Sequence, residues 1–124
     1  HRRLGALDEA ETILRRWLDW NRARANPPGI ALVAAQLGFV ADQRGDADLA
    51  RTLHDEAHAA AVTTADPRMV ALAEEGRAGA LALAGDHESA AALLATASAA
   101  RACAGAPLAG GERFDVDRIV ARLR

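Results

Sequence analysis

The chain has 124 residues, a length that suits one domain. Its formal net charge of −2 and pI of about 6.1 argue against a nucleic-acid groove or an anionic membrane surface as partner. A single cysteine, Cys103, excludes an internal disulfide framework, and no apolar run reaches the length of a membrane span.

All 15 basic residues are arginine, which with the abundance of alanine points to a GC-rich coding genome. No signal peptide is visible and His1 is not a natural start, so the expectation is a cytoplasmic chain whose N-terminus lies upstream.

Residues 4–25 predict a first helix. Ile13, Trp17 and Trp20, with Leu14 and Leu18, recur at helical spacing as one apolar stripe. The two tryptophans have two readings. They are core or a stacking surface, or they are exposed anchors for a partner, since tryptophan is enriched at interface hot spots. A helix preceding His1 would cover this stripe, and its absence predicts dimerisation or swapping. Residues 27–44 predict a helix with Ile30, Val33, Leu37 and Val40 on one face. Residues 46–62 predict its partner, with Leu49, Leu53 and Ala57 inward, and 63–66 a turn. Residues 67–84 and 86–104 repeat the pair, with Met69, Leu72, Leu81, Leu93 and Leu94 as the larger apolar groups. Residues 106–113 read as a glycine- and proline-rich loop. Residues 114–124 predict a short last helix, capped by Asp115, with Val116, Ile119, Val120 and Leu123 on one side. It is expected to fold back over the last repeat, as terminal caps do.

A period runs through these elements. Gly5, Gly45 and Gly85 stand 40 residues apart, as do Ala10, Ala50 and Ala90, and Pro27, Pro67 and Pro107. Each position has a physical reason. Asn26 and Asp66 can cap a helix whose first turn accepts the following proline. Gly45 and Gly85 can take the left-handed conformation that closes a helix, and Asp46 and Asp86 can cap the next one. Ala50 and Ala90 are small enough for a paired helix to come close. By the same register Gly5 closes a helix that lies before His1. The fold class predicted is all-α: antiparallel helix pairs in one domain, with a half repeat in 1–26, repeats in 27–66 and 67–106, and a loop and cap in 107–124. Alanine favours helix but buries little area, so stability must come from close helix approach and stacking.

Leu37-Gly38, Gly45, Ala50 and Ala57 together resemble the tetratricopeptide repeat, which places Leu-Gly in its first helix, Gly at the turn and two alanines in its second helix. Gly85, Ala90 and Ala97 match again. Arg77-Ala78 replaces Leu37-Gly38 in the second copy, and the period of 40 exceeds the usual one of about 34. Repeats of this length resemble those in the sensor regions of large bacterial transcriptional regulators of the MalT-like and Streptomyces antibiotic-regulatory-protein types. Residues 85–124, above all Arg101 followed by Gly105-Ala106-Pro107-Leu108, resemble the way such chains end.

The resemblance implies a right-handed superhelix that binds a partner protein, or a small inducer, on its concave side. It assigns to that groove Leu32, Ala35, Phe39, Asp42 and Gln43 from the first full pair, and Leu72, Glu75, Gly79, Ala82 and Leu83 from the second. Such an apolar strip with acidic and amide edges suits a helix or extended peptide of some basic character, although each position is equally readable as packing. DNA binding and nucleotide hydrolysis lie in other domains of the family. This segment has no GxxxxGK[ST] loop and no basic recognition helix. It is therefore expected to be a C-terminal piece of a regulator without direct nucleic-acid or membrane contact. The alternative is a free-standing oligomerising adaptor.

Little else carries chemistry. His54 and His58 stand four apart beside Asp55 and Glu56, a spacing that can hold a metal. HDEAH is not HExxH, however, and repeat register makes His54 an aromatic packing position. His87 reads as solvated, Cys103 as a buried or half-buried apolar group, and Glu74-Glu75 as a solvated face. Ser89 and Ser98 have no triad context. The expectation is a chain that is not an enzyme and uses no cofactor or metal.

Overall fold

The computed structural model describes residues 4–123, with side chains from residue 7. The secondary structure among them is all helix, without a strand: α1 Leu4–Ala23, α2 Pro27–Gln43, α3 Ala47–Thr64, α4 Pro67–Leu83, α5 His87–Ala104 and α6 Gly110–Arg122.

Local chemistry sets the boundaries. Asp46 accepts a hydrogen bond from the Leu49 N–H at 3.1 Å, Asp66 from Arg68 at 3.0 Å and Asp86 from Ser89 at 3.2 Å. Each satisfies an amide that a helix start would otherwise leave open. Pro27 and Pro67 occupy the first turns of α2 and α4. Gly45 and Gly85 take φ of +80° and +95° between the paired helices. The turns that follow α1 and α3 use alanine instead, with Ala25 at φ 50° and Ala65 at φ 56°, a conformation that costs a residue bearing a Cβ about 1–2 kcal/mol.

Four expectations are corrected. Asn26 stands at the start of α2 but does not cap it. Its Nδ2 donates to Asn21 Oδ1 at 3.0 Å, over Gly29, where a Cβ would meet that oxygen at 2.0 Å. Gly5 lies inside α1 and closes nothing; the helix expected before His1 lies outside the described residues. The last helix begins at Gly110, not at 114, because Glu112 Oε1 accepts the Ala109 N–H at 3.1 Å and holds the first turn. Asp115 is consequently an internal helix residue, 9% exposed, and not a cap. Pro107, in register with the two helix-opening prolines, lies in the connection 105–109.

Helices pack mainly on their chain neighbours. α2 lies on α3, α4 on α5 and α1 on α2, while α3 against α4 joins the two pairs. α2 also touches α4, and α6 leans on α4. Ala50, Ala57, Ala90 and Ala97 are all 0% exposed, so methyl groups line the seams as expected of helices in close approach. The largest fully enclosed side chains are Leu37, Ile119, His54 and Asp42. Two of these four are polar, and both bear on the candidate site. No helix among the described residues is long and apolar enough to cross a membrane.

Candidate functional site

α2 and α4 lie side by side and share a face, and most of the residues assigned to the groove sit on it or just beneath it. Ala35 is 0% exposed and Ala82 4%; both are packing residues. Phe39 is buried edge-on against the His54 ring, with centroids 4.8 Å apart. Gln43 and Leu83 are half-buried. Leu32 stays open at 41% exposure, and Leu72 forms a buried floor nearby.

The two acidic groups are taken by the chain's own arginines. Asp42, fully buried on α2, accepts from Arg118 Nη2 at 2.9 Å and from Arg122 Nη1, both on α6. Arg118 Nη1 also donates to Asp115 at 2.7 Å. Glu75 on α4 and Arg101 on α5 form a forked pair at 2.7 and 2.8 Å. Arg101 Nη1 donates further to the Ala106 carbonyl at 3.2 Å, which ties down the connection to α6. Burial pushes the Glu75 carboxyl above its ordinary range, and the Arg101 contacts pull it back only in part. Gly79 completes the face. A Cβ there would meet Ile119 Cδ1 at 2.8 Å, so the glycine makes room for α6. Part of the expected groove, at Asp42 and Gly79, is thus covered by α6.

Two clefts flank that helix. One, of about 380 Å³, opens between α1, α2, α4 and the start of α6; Leu14, Leu32, Phe39 and Leu72 line it, with Gln36 and Glu112 at its edge. The other, of about 580 Å³, lies between α5 and α6 against Leu94, Ser98, Val116 and Val120.

His54 is fully enclosed by the fold. Its ring lies between α2 and α4, where a Cβ on Gly38 would come within 2.5 Å of it and one on Gly76 within 2.0 Å. Neither ring nitrogen has a hydrogen-bond partner among the described residues. Burial pushes the imidazole down to about 4, against the opposing pull of Asp42. His58 is half-buried one turn on, and no cluster of three or more metal-ligating side chains occurs among the described residues. Cys103, expected buried or half-buried, is exposed. His87 is exposed.

The predicted stripe on α1 splits. Leu18 is buried at 2%, whereas Ile13, Trp17 and Trp20 are 50%, 57% and 53% exposed. The guanidinium of Arg24 covers the Trp20 ring at 3.9 Å from its centroid. The core reading of the tryptophans therefore does not hold within this chain.

Sequence reasoning missed Arg118 and Arg122 altogether. A faint signal existed. They stand four apart on a helix whose aliphatic residue, Ile119, falls in register with Gly79. Comparison with protein families, with curated proteins and with solved structures finds no match for this chain.

Proposed function

We propose that this chain is a tetratricopeptide-like protein-interaction module of a bacterial, cytoplasmic transcriptional regulator, its helix pairs stacked as a right-handed superhelix. It binds a partner segment on the α2–α4 face and carries out no catalysis. The observation that supports this most is the open cleft at Leu32. Its lining is largely apolar, joined by the Gln36 amide and the Glu112 and Asp115 carboxylates, and its volume of about 380 Å³ accommodates several side chains of a helix or extended peptide.

The test is a panel of labelled peptides, helical and extended, basic and acidic, titrated into the chain. Basic members are expected to bind with micromolar Kd, and Leu32→Glu is expected to weaken them at least tenfold without loss of helical circular dichroism. Leu32 is the right position because Phe39 and Glu75 are buried, and their substitution would disturb the fold itself. Equal binding by the variant, or none by the parent chain, removes the groove assignment. The regulator part is tested by reading the coding DNA around this segment for further repeats, a P-loop and a winged helix.

Two further surfaces support secondary readings. The cleft of about 580 Å³ between α5 and α6 has the size of a small-molecule site and favours an inducer. Thermal shift with candidate metabolites tests it, because a ligand of the folded state raises Tm. The exposed Ile13–Trp17–Trp20 face favours a homodimer. Sedimentation of Trp17→Ser/Trp20→Ser against the parent chain is expected to show the dimer lost.

A further inference from the structure

The α6 helix is held on the α2–α4 face by charge more than by apolar contact. It buries only Asp115 and Ile119 of its 13 residues, whereas α4 buries nine of its 17. In chain register α6 follows α5 as α4 follows α3. α3 and α4 pack closely, yet α6 packs chiefly on α4 and leaves a cleft of about 580 Å³ between itself and α5. Relative to α4 in its own register, α6 lies shifted away from α5 and toward the α2–α4 face.

What it meets there is complementary in charge and shape. Asp42 is fully enclosed, and the arginines that neutralise it, Arg118 and Arg122, both come from α6. Ile119 seats over Gly79, the hollow made for it. The fit in cis is incomplete, because Arg118 Nε is buried without a hydrogen-bond partner among the described residues. The connection 105–109 is bonded at its two ends, with the Gly105 and Ala106 N–H groups donating to the last turn of α5 and Ala109 bonded to the first turn of α6, and Pro107 and Leu108 between them lie outside both helices. A helix with little burial, held by ion pairs at its margin, belongs to the least stable part of a fold. When it leaves, Asp42 loses the cover of Arg118 and Arg122 and is open to hydration, while Glu75 and Arg101 keep each other neutralised. A helix of like chemistry can then replace each ion pair one for one.

We propose that the α2–α4 surface under α6 is a docking site for an amphipathic helix of another protein bearing two arginines four residues apart beside an aliphatic residue, and that α6 occupies the site in cis until displaced. This rests on the interaction-module reading above, and names its partner class and its control.

The probe is a fluorescent peptide of residues 109–124, titrated into the full chain. The parent chain is expected to bind it weakly. Arg118→Ala/Arg122→Ala in the chain, which frees the site, is expected to bind the unaltered peptide at least tenfold more tightly. Adding Asp42→Asn to that chain is expected to reverse the gain, and a peptide lacking both arginines is expected to bind neither. Hydrogen exchange on the unaltered chain gives a second readout that needs no variant: α6 amides are expected to exchange at least tenfold faster than those of α2 and α4. No tightening in the double variant, or α6 amides as protected as those of α2, overturns the proposal. A dimer in light scattering that competes with the peptide overturns it in favour of a second copy of this chain. Panel peptides that still depend on Leu32 while the α6 variants change nothing leave the interaction module standing and remove only its control by α6.

Discussion

The junction of α3 with α4 and that of α5 with α6 stand forty residues apart in the chain, and they close in opposite ways. At the first, the flat ring of His54 fills the gap between two helices stripped to hydrogen at Gly38 and Gly76. In sequence register the second has Ala78, Leu94 and Val116 at these positions. A β-branched valine in place of Gly76 keeps α6 from a comparable approach to α5, and Leu94 and Val116 line the cleft that remains. The same register matches Ala35 on α2 and Ala61 on α3, both 0% exposed, with Glu75 on α4 and Arg101 on α5, a buried ion pair from which Arg101 reaches on to Glu112 of α6 at 3.4 Å. The first junction is closed by a ring between glycines; the second is bridged by charge through Arg101 and keeps a cleft beside it.

The largest effect should come from unbalancing the charged junction. Arg101→Ala leaves the Glu75 carboxylate buried without its partner and should cost about 3–5 kcal/mol in denaturant unfolding. Glu75→Ala/Arg101→Ala writes the alanines of the α2–α3 seam into the α4–α5 seam and should recover most of that loss. A double variant as unstable as the single one would break the comparison, since the pair would then be needed for more than mutual neutralisation.

The converse change writes the second junction into the first. Gly76→Val puts a branched side chain where even a Cβ would lie 2.0 Å from His54 Nδ1. It should cost about 3 kcal/mol in thermal unfolding. A negligible loss would show that the helices separate freely and that the glycine slot does not hold them.

Acid separates the two junctions in a third way. The folded-state pKa of His54, about 4, lies below its ordinary 6.5, so the unfolded chain takes up the proton first. The stability this histidine contributes is complete above about pH 6.5 and is lost as pH falls toward 4, at most roughly 3 kcal/mol. His54→Phe keeps a flat ring in the slot. It should change stability at pH 7 by less than about 1.5 kcal/mol and flatten the loss between pH 6.5 and 4. Unfolding midpoints of the two chains across that range, run in parallel, decide it. Identical slopes would remove His54 as the acid-sensitive group.

The smallest effect concerns the turn that leads into the first junction. Ala65 holds φ 56° after α3, where Gly45 and Gly85 serve the turns within pairs. Ala65→Gly should therefore stabilise the chain by up to about 1 kcal/mol, as the relieved strain exceeds the added chain entropy. A destabilisation would mean the Ala65 methyl makes contacts that outweigh its backbone cost.

Much of the helical frame was legible because its signals are local. Asp46, Asp66 and Asp86 cap, Pro27 and Pro67 open first turns, and Gly45 and Gly85 close them, each through bonds within a few residues. The misreadings come from groups that find a competing partner within a turn or two. Asn26 resembles Asp66 in sequence but turns to Asn21. Asp115 resembles a cap, yet Glu112 starts the helix earlier and leaves Asp115 inside it, bonded to Arg118.

By itself, then, the sequence determined an all-helical chain, with α2 to α5 of 17 or 18 residues set at a forty-residue period and alanine along their seams. These follow from backbone hydrogen bonding, capping and side-chain size, which act over one or two turns. Only the tertiary structure decided that His54 sits between two glycines of different helices. Only it set Asp42 and Glu75 against arginines 80 and 26 residues away, and laid α6 over part of the face assigned to a partner. Charge pairing and close approach depend on which helices meet, and a register of residue types does not carry that information.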